Sequence, residues 1–461
     1  MIGNLLQPEL AELIRKRDFN QLRGILCEFP APDVAEILAD LSADDKAILL
    51  RILPHELSTE VFEYLSLDDQ EQLIHAMATE QVVSILNDLP PDDRTALLEE
   101  LPSAVTQRFL SLLKPEERKI ATDLLGYPED SIGRRMTPEY VSIKQGWTVA
   151  EVLEHLRRQP ERSEAMSQLY VVDDAGRLVD YVRLRNVVVS DPLTPVVELL
   201  EHQNLALHAT ADQETAVAAF KKYDVTILPV IDSKGVLVGV ITVDDVLDVA
   251  EKEATEDIQK LGGVEALDAP YLKIGMVEML RKRAPWLAIL FVSEMFTSTA
   301  MGYFEKEIEK AAVLALFLPL ILSSGGNSGS QATTLIIRAM ALRDVTLRDW
   351  WRVFRRELTA GLLLGCILAA LGVVRILSWQ WLGLKNYGGN YPQLAFTVGG
   401  SLIGVVLWGS LMGAMLPMLL RALKLDPATC SAPFVATLVD VTGIVIYFTV
   451  AYYILLGHSP F

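Results

Sequence analysis

Residues 433–447, PFVATLVDVTGIVIY, set one carboxylate, Asp440, inside an apolar run that continues to Leu456. The run is long enough to be a membrane-spanning helix, which needs about 20 residues to cross about 30 Å of hydrocarbon. An ionised group at that depth costs roughly 2.5–3.5 kcal/mol on insertion scales, so Asp440 is expected to face a partner or a water-filled path. At helical spacing Ala436, Thr437, Asp440, Gly443 and Tyr447 share one face. A carboxylate with hydroxyl, amide and backbone oxygens nearby is a hard-ligand set, suited to Mg2+, Ca2+ or Mn2+ rather than to soft metals. One Asp supplies few ligands for a divalent ion. A two-fold dimer with the path on its axis would present two Asp440 side chains, and Mg2+ could keep its waters and bind through them.

Four more apolar segments precede this one, at roughly 285–304, 311–338, 358–382 and 393–421. Arginines and lysines gather at 281–283, between the second and third segments (Arg338 to Arg356), and at Arg421 and Lys424. The excess of such residues on the cytoplasmic side predicts a multi-pass protein of the inner (plasma) membrane, with the N-terminus in the cytosol and the C-terminus outside. The second segment carries a polar, glycine-rich patch, Gly325 to Gln331, at membrane depth. Such backbone must be buried in protein or line a watery cavity. Asn327 and Gln331, four apart, put two amides on one face, and a hydrophilic conduit through the Gly326–Asn327 region is the expectation. Glu294, mid-way along the first segment, is a rival ion ligand, its plainer role being to partner a polar group of another helix. The pairs Gly361/Gly365, Gly400/Gly404 and Gly409/Gly413 read as close-packing devices.

Upstream the composition changes. Residues 1–280 hold 51 Asp+Glu against 26 Lys+Arg, a net charge of −25, whereas 281–461 hold 9 against 15. An acidic body of this kind favours cations as partners and argues against nucleic acid. Cys27, Cys366 and Cys430 are isolated, with no disulfide framework or zinc spacing. The opening residues lack the apolar core of a signal peptide. No HExxH, phosphate loop or nucleophile–base pair occurs and the six histidines are scattered, so an enzyme is not expected.

Residues 1–130 read as short amphipathic helices. Asp44, Glu56, Asp68, Glu80, Asp92 and Glu116 fall on a 12-residue grid broken at Ala104, and units this small must stack as a helical superhelix to bury their apolar faces. From 131 a strand–helix–strand pattern repeats: LYVVDDAGRLVDYVRLRNVV (169–188) aligns with LPVIDSKGVLVGVITVDDVL (228–247) at a shift of 59, with Asp180 where the second copy has Gly239. The paired units resemble a tandem CBS module over 131–245. Such modules often bind adenosine nucleotides, ATP among them, with an Asp after the second strand on the ribose; Asn186 and Asp245 stand at those positions. Residues 246–280 contain an acidic helix, ended by Gly262-Gly263, that joins this module to a transmembrane domain over 281–461.

Taken together, GGNSGSQATTLIIRAMALRD, GLLLGC, MGAMLPMLLRALKLDPA and PFVATLVDVTG, in that order behind a CBS pair, resemble the MgtE family of magnesium channels. The resemblance implies a multidomain chain: a cytosolic α-superhelical N-domain, an α/β CBS pair, a connecting (plug) helix and an all-α domain of five transmembrane helices. It implies a homodimer in a lipid bilayer that imports Mg2+ through a central pathway. Asp440 would be the selectivity ligand, with the Ala436 carbonyl beside it and Asn327 lining the path. Cytosolic Mg2+ would shut the pore by binding carboxylates at domain contacts. Those matching here are Glu60, Asp92, Asp212, Glu214, Asp224, Asp245, Asp248, Glu256, Asp257 and Asp426. Ala96 and Ala432 stand where the family often has an acid and an Asn. Two other readings compete: a transporter coupled to H+ or Na+ at Glu294, and a CBS-regulated channel for another ion.

Overall fold

The computed structural model describes residues 12–14, 16–39, 41–158, 166–202, 205–267, 271–272, 274–305, 308 and 312–456. The opening residues read for a signal peptide lie mostly outside these. Two compact units divide at Lys252/Glu253, inside a helix rather than at a loop.

Among the described residues the first unit has a run of short helices: α1 (Phe19–Leu26), α2 (Ala31–Ala39), α3 (Ala43–Ile52), α4 (His55–Glu63), α5 (Leu67–Ala76), α6 (Thr79–Asp88), α7 (Pro91–Glu100), α8 (Ser103–Leu112) and α9 (Pro115–Leu125). Every acid of the 12-residue grid sits in a first turn, where it meets the positive end of the helix dipole. Ser42 and Ser66 cap α3 and α5, accepting from the Asp45 and Asp69 amides. Helices two apart pack together, α2 on α4, α3 on α5, α4 on α6 and α5 on α7, which strings their apolar faces into one core from Leu22 to Ala121. Lys46 and Asp69, 2.7 Å apart and both buried, pin α3 to α5, and buried Arg94 meets Glu117 of α9 at 2.6 Å.

After a four-residue helical turn, α10 (Ile132–Arg135), come two three-stranded sheets. One is β1 (Ser142–Lys144), β2 (Gln168–Val172) and β3 (Leu178–Arg183), with α11 (Val149–Arg158) crossing between β1 and β2 and α12 (Leu184–Val189) following β3. The other is β4 (Leu207–His208), β5 (Ile227–Ile231) and β6 (Leu237–Thr242), with α13 (Gln213–Tyr223) as its crossover. Each joins a parallel pair to an antiparallel hairpin. The hairpin turns are built alike: Asp173 Oδ1 accepts from Ala175 and Arg177, Asp232 Oδ1 from Lys234 and Val236. Gly176 and Gly235 take φ of +76° and +80°, which suits residues without a Cβ. The 59-residue repeat is thus a structural repeat. Its one mismatch has a cause in each copy: a Cβ at Gly239 would lie 2.8 Å from the Met136 sulfur, whereas buried Asp180 accepts from the Tyr181 and His202 amides.

Helix α14 (Val243–Leu261) starts three residues earlier than the sequence suggests, and the division between units falls within it. It ends as expected: Gly263 takes φ +72°, and the Val264 amide donates to Gln259 O. The rest of the second unit is helical. Among the described residues five helices, α15 (Met276–Tyr303), α16 (Leu318–Ala341), α17 (Trp350–Trp381), α18 (Tyr391–Ala422) and α19 (Ala432–Ala451), are long and apolar enough to cross a membrane. Two begin eight or more residues before their apolar runs, because the basic flanks Arg281–Arg283 and Arg352–Arg356 continue the helix. α18 is the hub, packing on α16, α17 and α19.

Candidate cation path and regulatory clusters

Asp440 lies near the middle of α19, half-buried. Its helix face is less polar than its sequence. The Thr437 hydroxyl donates back to Pro433 O at 2.8 Å, and the buried Tyr447 hydroxyl donates to Leu314 O at 2.9 Å. Gly443 packs against Leu322 and Val405. Ala436 sits against Gly326 of α16, its Cβ 3.3 Å from where a Gly326 Cβ would be. Ala436 and Asp440 therefore remain the residues of that face open to a ligand, with Asn327 one position from the Gly326 contact.

The glycine-rich patch of the second span is continuous α-helix, so its glycines make no conduit by unwinding. Gly325 and Gly329 are buried against α18: a Cβ on Gly409 would lie 2.3 Å from Gly325 O, and one on Gly413 would lie 2.2 Å from Gly329 O. Only hydrogens fit there. Close approach lets the Ser328 and Ser410 hydroxyls meet at 2.7 Å and Thr333 donate to Gly413 O. Ser323, Asn327, Gln331 and Thr334 instead form an exposed polar strip on another face of α16, with Asn327 Nδ2 donating to Ser323 Oγ at 3.5 Å. The conduit expectation thus keeps its amides and loses its glycines. Glu294, on α15, is exposed in the single chain and lies within Coulombic reach of Asp440.

The remaining candidates divide by unit. In the first, Glu60 (α4) and Asp244 (first turn of α14) both act on Glu63; burial and then these two charges hold the Glu63 carboxyl above the ordinary range. Asp245 accepts from Thr242 Oγ1 at 2.6 Å, yet loss of solvent, with Asp244 and Asp248 nearby, pushes it up to about 6. Asp248 is raised by burial and by Glu251 and Asp244, against the pull of Arg135. Asp92 is buried in the first turn of α7. Asp212 caps α13 by accepting from the Glu214 amide, and Asp224 ends it in a left-handed conformation, φ +51°. In the second unit, Lys260 Nζ bridges Glu256 at 2.5 Å and Asp426 at 2.7 Å. Burial opposes its charge, but those hydrogen bonds hold the ammonium above its ordinary pKa. Burial and Asp426 raise Asp257. Glu63 and Asp244 carry no signal in the sequence beyond their acidity, whereas Lys260, a partial offset to the acids of this helix, follows Glu256 by the four residues of a helical ion pair. Among the described residues no group of three or more His, Cys, Asp or Glu side chains is arranged to hold a metal within one chain.

Between the two sheets' helices a cavity of about 680 Å3 is lined by Ser167, Tyr181, Arg183, Arg185, Asp224 and Thr226, among others. Neither residue at the expected ribose position serves it: Asn186 donates to Glu201 and Asp245 is bound by Thr242.

A domain of five helices long and apolar enough to span a membrane, with a carboxylate at mid-helix and helical-repeat and paired-sheet modules before it, has the layout of a multi-pass membrane protein with large domains outside the bilayer. Comparison with known proteins gives the family. A family model described as Divalent cation transporter matches residues 318–450, one described as MgtE intracellular N domain matches 29–130, and CBS domains match 130–191 and 195–252. The magnesium transporter MgtE of Thermus thermophilus is 47% identical over 328 residues, 71% of this chain and 71% of that protein. Its counterpart in Enterococcus faecalis is 32% identical over 71% of this chain and 70% of that protein. A crystal structure of the cytosolic domain of the Mg2+ channel MgtE in complex with ATP is 36% identical, with a TM-score of 0.50, covering 52% of this chain and 98% of that one. The chain belongs to the MgtE family.

Proposed function

We propose that the protein carries Mg2+ across the membrane into the cytosol, along a path whose selective point is Asp440. The observation that carries this reading is a carboxylate half-way along an apolar span, half-buried, one helical turn after Ala436, which sits against Gly326 of α16. A charge there is tolerated only at a polar cavity or partner. With no three-ligand cluster among the described residues of one chain, a homodimer that brings two Asp440 together suits a hydrated Mg2+ held through its waters, with Ala436 O and Asn327 at the wall. Basic flanks orient the N-terminal unit to the cytosol and the C-terminus outside.

Regulation by cytosolic Mg2+ follows from the charge. Glu60, Asp92, Asp212, Glu214, Asp224, Asp245, Asp248, Glu256, Asp257 and Asp426 are the carboxylates proposed to sense it, and burial, then neighbouring acids, disfavours the charged forms of Asp245, Asp248 and Asp257. Two like charges 4 Å apart repel by about 4 kcal/mol at an effective dielectric of 20. A divalent ion relieves that repulsion, favours the assembled arrangement and lets α14 close the pore; at low Mg2+ the acids separate and the pore opens. ATP is a second candidate ligand: the cavity beside Arg183 and Arg185 suits a triphosphate, and a relative's cytosolic domain was solved with ATP.

Asp440→Ala should abolish rescue of a Mg2+-transport-deficient host, and normal rescue would remove Asp440 from the path. Deleting residues 1–262 should leave flux that cytosolic Mg2+ no longer closes. Coupled transport predicts instead that uptake collapses with the H+ or Na+ gradient at fixed potential.

A further inference from the structure

We propose that Glu294 is a second carboxylate of the cation path and acts with Asp440 on the hydrated divalent ion, so that each protomer offers two negative charges to a doubly charged substrate. The inference rests on the reading that the path passes Asp440. Its geometry comes from the seam between α15 and α19. These helices pack together, and Phe304 stacks on Phe448 with ring centroids 4.8 Å apart and planes 16° apart. Glu294 precedes Phe304 by ten residues and Asp440 precedes Phe448 by eight, rises of about 15 and 12 Å. Only helices that run in the same direction bring the two carboxylates to similar depth and within mutual Coulombic reach; opposed helices would set them about 27 Å apart. The two groups lie within Coulombic reach of each other.

A second observation points to a ligand in this seam. Thr297 lies one turn beyond Glu294 on the same face and is the buried residue of α15, 7% exposed. Its hydroxyl has no hydrogen-bond partner among the described residues. Other threonines of the spans, Thr299, Thr437, Thr442 and Thr449, donate to the carbonyl four residues back. Thr297 does not, and the helix that its own packs against is α19. A buried hydroxyl left unpaired is costly. A water of a hydrated cation held between Glu294 and Asp440 would pair it.

Lipid does not account for Glu294. Among the described residues no cationic side chain pairs with it, and a carboxylate facing hydrocarbon at mid-span is not tolerated without a partner or water. Facing the path, it gains one: the ion.

The test uses the full-length protein in liposomes, with Mg2+ influx measured against Mg2+ concentration and against Na+. Glu294→Gln should raise the half-saturating Mg2+ concentration at least tenfold and lower the preference for Mg2+ over Na+. Glu294→Asp should return it to within about threefold of the parent. If Glu294→Gln matches the parent in both measures while Asp440→Asn abolishes flux, the pairing is wrong and the path stands. If Asp440→Asn also transports normally, the path itself is wrong. Should Glu294→Gln fail to elute as folded protein, Glu294→Ala decides by the same two measures: a half-saturation raised at least tenfold with lowered preference for Mg2+ over Na+ supports the pairing, and parent-like values, or parent influx that collapses with the H+ gradient, overturn it.

Discussion

Replacing Gly413 by alanine should loosen the membrane unit at the seam that positions its polar strip. The added Cβ would lie 2.2 Å from Gly329 O and 2.9 Å from the Gly329 carbonyl carbon. Ordinary contact begins near 3.4 Å, and both atoms are backbone, so α16 and α18 must part by roughly 1 Å. Overpacking of this kind costs about 1–3 kcal/mol. Parting also stretches the bond from Thr333 to Gly413 O and the Ser328–Ser410 contact one turn away, at about 0.6 kcal/mol each for interhelical bonds in membranes. The sum is about 2–4 kcal/mol. The assay is reversible unfolding of the detergent-solubilised protein, with Gly302→Ala as control: that position has nothing within 4 Å of a new Cβ and should be neutral or slightly stabilised. Flux should fall as well, because α16 also carries Gly326 against Ala436. A Gly413→Ala protein that unfolds like its parent would refute the close approach of the two backbones, and with it the assignment of these glycines to packing.

The Asp245 carboxyl, raised from 3.8 to about 6, should make stability depend on pH. A raised folded value favours the fold fully below about 3.8 and loses that contribution as pH climbs through 6. At about 1.4 kcal/mol per tenfold in proton affinity, the loss by pH 7 is up to about 3 kcal/mol before solvent screening. Asp245→Asn should flatten this slope in melting curves without divalent ions; an unchanged slope would assign the effect elsewhere. Lys260→Met should free the end of α14 from Asp426, at a cost of about 1–3 kcal/mol for a charge-assisted pair. Hydrogen exchange over residues 253–267 in chelator reads this directly, and equal protection in parent and variant would show that Lys260 does not hold the helix.

Much of the architecture was legible because it is local. A 12-residue spacing of acids marks first turns, since an acid at a helix start interacts with its own helix dipole. A 59-residue repeat marks two copies of one hairpin, since Asp173 and Asp232 bond to amides two and four residues on. Five apolar runs mark five spans, since each must satisfy its backbone within itself. The mid-span position of Asp440 needs nothing beyond counting.

What the chain order hides is which faces meet. Glycines at Gly325–Gly329 read equally as a wet conduit or a packing seam, because the choice depends on whether another backbone lies opposite; Gly409 and Gly413, more than eighty residues away, supply it. The partner of Asp426 is Lys260, 166 residues earlier. Thr437 and Tyr447 share a helical face with Asp440 by periodicity, yet their hydroxyls are bound by Pro433 and Leu314. Glu294 looks like a competitor of Asp440 along the chain, yet it lies on a helix that packs against α19 and within Coulombic reach of Asp440. Periodicity determines which side chains line one face of a helix, whereas the environment of that face is set by long-range packing between helices that no local pattern encodes.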